Sequence, residues 1–379
     1  MAINANTGFV DENKINFGKR LFARLHIDLP LLLALLMLTG IGLTVLYSAS
    51  GQNMNVINAQ IIRLVLAFGI MFIVAQISPH TIKAWSPWLF MLGLLLLILV
   101  LTPLGDIGKG AQRWLVIGFR FQPSEIMKLA VPMMVAWYFA DMPLPPARSK
   151  IFIASVILII PTLLVAKQPD LGTSLLIACS GFFVLILAGL RWRTIFITIF
   201  IFAASSPFIW NYALHDYQQK RVLTFLNPES DKLGSGYHII QSIIAIGSGG
   251  VYGKGWNNGT QSRLEFIPER KTDFIFSVYS EEFGFIGNLL LLSLYLFIIV
   301  RGCFIATQAQ DTYSRLLSGG LIMTFFVYVY VNMGMVSGLL PVVGVPLPLV
   351  SYGGTSIVTL FAAFGILMSI HTHKKFMTS

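Results

Sequence analysis

The amino-acid sequence predicts an all-α, polytopic integral membrane protein of about ten transmembrane helices, and three observations carry the prediction. Hydrophobic residues make up 56% of the 379-residue chain and charged residues only 11%, far from the balance of a soluble domain. Apolar runs recur along most of its length, several reaching the roughly 20 residues that a helix needs to cross a bilayer core. The short polar breaks between those runs are basic at every second break, the pattern of the positive-inside rule.

Taken in order, the predicted crossings fall at about 29–50, 57–77, 84–102, 124–140, 150–167, 172–190, 194–213, 273–300, 315–337 and 353–372. A polar segment with Lys14, Lys19, Arg20 and Arg24 precedes the first run, and no small-residue cleavage site follows it. That run therefore reads as an uncleaved helix rather than a signal peptide. Ten crossings put both termini on one side. With that side cytoplasmic, the inner connections hold Lys83, Arg148 with Lys150, Arg191 with Arg193, Arg301 with Arg315, and Lys374 with Lys375. The organisation expected is a tail at 1–28, a single membrane domain at 29–373 and a tail at 374–379. A large periplasmic loop at 214–272 joins the seventh and eighth crossings.

Two long connections, 103–123 and 214–272, fall on the outer side and carry Arg113, Arg120, Lys220, Arg221 and Arg263. Long connections weigh less in the charge rule, and basic residues there point to an anionic ligand. The net charge of +10 suits a membrane with anionic lipids. It does not indicate nucleic acid, because no soluble segment interleaves a basic tract with aromatics. Two cysteines, Cys179 and Cys303, exclude a disulfide framework and a CxxC metal site, and no HExxH motif offers zinc ligands. His371 and His373, at the far end of the last helix, read as solvated tail residues.

Several stretches depart from plain crossings. Residues 237–250, YHIIQSIIAIGSGG, set Ile239, Ile240, Ile243, Ile244 and Ile246 on one side at helical spacing. They are too few to span, which predicts an interfacial or re-entrant helix. Gly247, Gly249, Gly250, Gly253, Gly255 and Gly259 follow. Without a GxxxxGK[ST] pattern, that run reads as a flexible loop before it reads as a phosphate cradle. Pro132 and Pro161 are expected to kink their helices. Residues 338–356 concentrate prolines and glycines at membrane depth, where irregular backbone must be buried in protein or line a cavity.

Charge is densest at 261–287, QSRLEFIPERKTDFIFSVYSEEFGFIG. Asp273 sits where this polar segment meets an apolar run. It reads either as a helix cap or as a carboxylate in use at the interface. Glu281 and Glu282 follow on different faces and need partners or water. Glu125 and Lys128, three apart on one helical face, read as a self-neutralising pair or as a positioned cation. Asp170, in the break 167–173, reads as a turn or cap residue.

The blocks GAQRW at 110–114, QPSEIMK at 122–128, QPDLGTS at 168–174, GYHIIQSIIAIGSGG at 236–250, PERKTDFIFSVYSEEFG at 268–284 and NMGMVSGLLPVVGVPLPLVSYGGTS at 332–356 resemble those of the SEDS family (shape, elongation, division, sporulation). The PER before the TDF element is similar to the rod-shape branch rather than the division branch. The resemblance implies a peptidoglycan glycosyltransferase of the inner membrane that polymerises lipid II at the periplasmic face, with inversion at the anomeric carbon. It implies Asp273 as general base, and Arg113, Glu125, Lys128, Arg221 and Gln241 as substrate-binding residues, the cations facing the pyrophosphate. It leaves room for a divalent cation, Mg²⁺ or Mn²⁺. It also implies a class B penicillin-binding protein and other elongation-complex proteins as partners. Lys271 departs from the histidine common in the family, so no proton-relay role carries over to it. Two rival readings are a lipid II flippase and a scaffold without chemistry. The clustering of charge at one face favours the enzyme over a continuous transport path.

Overall fold

The computed structural model describes residues 25–108, 111–117, 119–213, 216–231, 234–263 and 269–373. Lys14, Lys19, Arg20, Arg24, Glu265, Lys374 and Lys375 lie outside the described residues. The chain is a multi-pass membrane bundle. Its long helices are α1 (Leu29–Ala49), α2 (Met54–Gln76), α3 (Pro79–Val100), α4 (Pro123–Phe139), α5 (Arg148–Lys167), α6 (Leu171–Leu187), α7 (Trp192–Phe208), α11 (Ile275–Thr307), α12 (Thr312–Val336) and α13 (Thr355–Thr372). These match the ten predicted runs in order. Seven are long and apolar enough to cross a membrane, while α4, α6 and α7 are 17 residues each.

Helix starts follow from local chemistry. Asp28, Asn53, Ser78, Asp170 and Asp311 each accept a backbone N–H of the first turn of α1, α2, α3, α6 and α12, satisfying one of the donors that every helix start leaves free. Pro30, Pro79 and Pro123 occupy first-turn positions, where a missing N–H costs nothing. Pro132 and Pro161 lie inside α4 and α5 and are buried there, and the helices run on past them. The helix with a break is α11, at Gly284, where φ is 65° and ψ −159°.

α12 is the central post, buried along most of its length. α6 and α4 pack on one side of it and α11 on another, and α2 packs on α13. The connections after α3, α5, α7 and α12 gather at one end of the bundle, called here the cavity end. The other end holds the connections after α2, α4, α6 and α11, together with residues 25–28 and His373.

Besides the helix expected near 237–250, the cavity end carries regular structure within both long connections. Strands β1 (Gly105–Gly108), β2 (Ala111–Ile117) and β3 (Phe119–Phe121) form an antiparallel sheet in the order β1-β2-β3. A π-helical turn (Ile209–Ala213) follows α7, and α8 (Asp216–Leu226), α9 (Ser235–Ser248) and the one-turn α10 (Thr260–Arg263) complete the long connection. The helix expected near 237–250 is α9. Its buried face is Ile239, Ser242, Ala245 and Gly249, whereas Ile243 and Ile244 are exposed. The predicted stripe is therefore split: Ile243 and Ile244 face outward, Ile239 faces the protein, and Ile240 and Ile246 are half-buried.

The glycine run behind α9 is neither a loose loop nor a phosphate cradle. It fills the break in α11. The amides of Lys254 and Gly255 donate to the carbonyls of Glu281 and Glu282 at 3.0 Å each, and Phe285 and Ile286 donate to Gly250 and Val251 at 2.9 and 3.1 Å. A Cβ on Gly253 would lie 2.1 Å from the Glu282 carbonyl oxygen, so only glycine admits the approach. Glu281 is fully buried and accepts from Lys254 Nζ at 2.8 Å and from the amides of Thr260 and Gln261 at 2.7 and 3.0 Å. Glu282 takes a hydrogen bond from Ser48 of α1. Both carboxylates therefore brace the broken helix.

Candidate active site

The cavity end opens a chamber of about 380 Å³ lined by Arg113, Asp170, Arg221, Glu269, Thr272, Asp273, Gly344, Tyr352 and Ser356, among others. A deeper chamber of about 160 Å³ adds Gln122, Glu125, Lys128, Thr173 and Tyr328 and shares Arg113, Asp170, Gly344, Pro346 and Ser356 with the first. Five of the six residues singled out in the sequence line one chamber or the other. The sixth, Gln241 on α9, is half-buried and lines neither.

Asp273 precedes α11 by two residues. The N-cap of that helix is Phe274, with no side-chain cap hydrogen bond, so the capping position is not Asp273. The main chain around Asp273 is instead held from the segment 343–354. Asn332 Nδ2 of α12 donates to the Asp273 carbonyl at 2.8 Å and to the Val345 carbonyl at 2.7 Å. Ser351 Oγ donates to the Thr272 carbonyl at 2.6 Å and accepts the Leu347 amide at 2.8 Å. The Tyr352 amide donates to the Lys271 carbonyl at 2.9 Å. Gly344, at φ 76°, passes so close that a Cβ there would sit 3.5 Å from Asp273 Oδ2. The irregular 338–356 backbone thus lines the cavity, as its position at membrane depth requires. Behind it, α2 supplies Gln60, whose Nε2 donates to the Ser351 carbonyl at 3.3 Å. Arg63 lies 4.5 Å from the Tyr352 ring centroid.

Arg113 projects from β2 onto the turn before α6. Its Nε donates to the Gln168 carbonyl at 3.3 Å, its Nη2 to the Pro169 carbonyl, and its Nη1 lies 3.7 Å from Asp170 Oδ2. Asp170 also accepts from Gln122 Nε2 at 3.1 Å while capping α6, so the turn reading of Asp170 holds and the residue reaches into both chambers as well. Lys128 and Glu125 pair at 2.6 Å, both buried. Lys128 also donates to the Tyr328 hydroxyl, and Thr359 Oγ1 donates to Glu125 Oε2 at 3.0 Å. That pair ties α4 to α12 and α13. His238 of α9 lies 6.0 Å, ring to ring, from Phe274. Burial lowers its pKa, outweighing the opposite pull of Glu269 and Asp231. Among the described residues no group of three or more His, Cys, Asp or Glu is placed to hold a metal ion.

The profile of the FtsW/RodA/SpoVE family, described as "Cell cycle protein", matches residues 26–376. The chain belongs to that family. The peptidoglycan glycosyltransferase MrdB of Escherichia coli K12 is 53% identical over 361 residues, covering 95% of this chain and 97% of the relative. Among solved structures, a chain from work on coordination of polymerisation and crosslinking by a peptidoglycan synthase complex is similar at TM-score 0.80 and 31% identity, over 92% of this chain and 99% of that one. The rod-shape-determining protein RodA of Thermus thermophilus is similar at TM-score 0.70 and 27% identity, over 92% and 98%. The SEDS-like blocks of the sequence are therefore family blocks. Four of them, at 110–114, 122–128, 168–174 and 268–284, furnish chamber walls, as does the block at 332–356.

The residues that sequence reasoning missed are Asn332, Ser351, Gln60 and Glu269. Asn332 and Gln60 carried a readable signal, since each is an amide inside an apolar run, and polar side chains at that depth mark function.

Proposed function

We propose that this protein is a peptidoglycan glycosyltransferase that polymerises lipid II, with Asp273 as the general base. The observation that carries the reading is the chamber of about 380 Å³ that sets the Asp273 carboxylate beside the guanidinium-bearing residues Arg113 and Arg221. The acceptor sugar hydroxyl loses its proton to Asp273 as its oxygen attacks the anomeric carbon of the lipid-linked donor. The C–O bond to the diphosphate breaks on the opposite face, so configuration inverts. Fixed cations stabilise the charge that develops on the leaving diphosphate. The helices α4, α6, α11 and α13 all start at this end, and their N-terminal dipoles add to that field.

Side chains lining the chamber include three carboxylates, Asp170, Glu269 and Asp273, against two guanidiniums, Arg113 and Arg221, one negative charge in excess. A diphosphate needs more positive charge than that, and Glu269 would help hold a Mg²⁺ or Mn²⁺ beside it, in the usual manner of phosphate sites, with the proton left to Asp273. When bound, the cation supplies charge neutralisation to the leaving group. Lys128 serves as the counter-charge of Glu125 and shapes the deeper chamber.

The same reading sets the protein in the inner membrane with the cavity end facing the periplasm. Support comes from Lys83, Arg148, Arg191, Arg193, Arg301 and Arg315, which cluster toward the opposite end. It also supplies a partner, a class B penicillin-binding protein that cross-links the product. Support is the likeness to a chain from a synthase complex that couples polymerisation to crosslinking.

The test is glycan polymerisation from labelled lipid II by the purified protein with its penicillin-binding protein, wild type beside Asp273→Asn, with and without EDTA. Polymer from wild type alone supports the reading. Equal polymer from both removes Asp273 from the chemistry. No polymer from either, with lipid II nonetheless crossing liposomes, favours the flippase.

A further inference from the structure

We infer that Asn332 is a positioning residue for the reaction: its single amide group fixes the main chain of Asp273 against the 343–354 segment and so sets where the base points. The inference rests on the reading of Asp273 as the base.

Three features lead to it. First, Asn332 is fully buried in α12, between Val331 and the small residues around Gly334. An amide there is costly to desolvate, and an apolar side chain would suit the helix better unless the amide were used. Second, its use is specific. One Nδ2 group spends both of its hydrogens, one on the Asp273 carbonyl at 2.8 Å and one on the Val345 carbonyl at 2.7 Å. The orientation is dictated by those partners, because the flipped amide would set its oxygen against two carbonyl oxygens. Third, the segment it reaches has no other regular support. Residues 269–274 are turns, and α11 starts without a side-chain cap. On the far side, 343–354 is irregular and includes Gly344 and Leu349 at positive φ. Neither segment has a helical or sheet ladder of its own here. Their mutual register comes from Asn332, from Ser351 Oγ on the Thr272 carbonyl, and from the Tyr352 amide on the Lys271 carbonyl.

The arrangement is a three-point clamp, and its points differ in kind. The Tyr352 bond is main chain to main chain and survives substitution. Ser351 bridges Thr272 to Leu347 across the surface of the clamp. Asn332 reaches out from the central helix and is the point of the clamp that holds the Asp273 carbonyl to the bundle, whereas Gln60 of α2 and Tyr295 of α11 hold the 343–354 segment at the Ser351 and Pro348 carbonyls. Without it, the Asp273 main chain loses its tie to α12 and to Val345, and the Asp273 carboxylate can shift against the chamber wall. Displacement of a reacting group by about 1 Å costs on the order of 100-fold in rate. Asn332 lines neither chamber, so the loss should fall on turnover rather than on binding.

The experiment is steady-state polymerisation of lipid II by the full-length protein in complex with its penicillin-binding protein. It compares wild type, Asn332→Leu, Ser351→Ala and Asp273→Asn. Hydrogen exchange of the 269–275 and 343–352 peptides is measured in parallel. Asn332→Leu keeps the side-chain volume and removes both donors. Expected are a fall in kcat of about 100-fold with KM within about twofold and faster exchange in both peptides. Thermal midpoint and partner co-purification should stay close to wild type. Ser351→Ala should lower kcat by about 10-fold. A kcat for Asn332→Leu within about threefold of wild type overturns the inference, as does a loss confined to KM. Should Asn332→Leu fail to accumulate in membranes, Ser351→Ala decides: unchanged kcat overturns the clamp, and a fall at constant KM supports it. Asp273→Asn separates the two levels. If it retains activity, the base assignment fails and the positioning inference with it. If it is inactive while Asn332→Leu turns over normally, only the positioning inference fails.

Discussion

The two ends of the bundle hold their chains together in different ways. At the end opposite the cavity, the connections are short and several of the ties run between side chains. Asp28, buried ahead of α1, takes Arg301 Nη2 at 2.6 Å and lies 3.3 Å from His371 Nε2. Lys83 meets Asp141 at 2.8 Å, and His26 stacks on His373 with ring centroids 3.7 Å apart. The two histidines read as solvated tail residues are thus engaged with the region just ahead of α1. At the cavity end the connections after α3, α7 and α12 are long, and the walls of the chamber are held largely through main-chain carbonyls, by Asn332, Ser351, Gln60 and Arg113. Side-chain ion pairs lock helices while leaving the backbone to itself. Bonds to carbonyls fix the path of irregular backbone, which is what a chamber wall made of loops requires. The contrast teaches that one end is built to stay shut and the other to hold a shape.

Four substitutions or conditions would break or sharpen that contrast. The largest effect is expected from Asp273→Asn, which should lower polymerisation by about 1,000-fold, within the range for loss of a general base. The thermal midpoint should not change, so the cavity end would lose chemistry without losing form. Gly253→Ala comes next, because its Cβ meets the Glu282 carbonyl and its φ is 79°. Overpacking and backbone strain together should destabilise by about 3 kcal/mol, read by thermal unfolding in detergent, and activity should fall with it. Asp28→Asn keeps an acceptor for the Leu31 amide but removes the charge facing Arg301. Breaking a buried pair costs about 3–5 kcal/mol, and the 22% exposure of the Arg301 side chain reduces that to about 2 kcal/mol. Turnover per folded molecule should be unchanged, which separates the two ends.

The smallest effect concerns pH. Burial, and then the neighbouring His373, lower the pKa of His26 from its usual 6.5. The folded state then binds fewer protons than the unfolded one as pH falls through 6.5, so stability is unaffected above that value and declines below it. Unfolding midpoints between pH 7.5 and 5.5 should fall by a few degrees or less, and His26→Gln should flatten that part of the slope.

Legibility in the sequence divides along the same line. The helices were readable because apolar runs, first-turn prolines and capping residues such as Asp170 and Asp311 are local signals. Asp273, Arg113, Lys128 and Glu125 were readable as charges out of place in an oily chain. Other features depended on distant partners. The sheet at 105–121 alternates too briefly to announce itself. The glycine run takes its shape from a helix break some 30 residues later. Cys303 falls inside α11, which runs on past the predicted end near 300 to Thr307. Asn332 looked like an ordinary member of a motif because its two acceptors are 59 residues before it and 13 after it in the chain.

The break at Gly284 has a consequence for the lipid around the protein. Residues 285–307 amount to about 34 Å of helix, close to the roughly 30 Å of a hydrocarbon core. Glu282 meets Ser48 at the matching end of α1, and setting residues 285–307 across the core would place both carboxylates at the headgroup layer. Bilayer thickness then becomes a variable of the enzyme. A thicker membrane draws Gly284 inward and pushes Glu281 and Glu282 toward the acyl region. The mismatch is relieved by a more upright α11, and the change of tilt carries Asp273 with it. The lipid composition of the membrane would in this way set the height of the reaction centre above its own substrate's anchor.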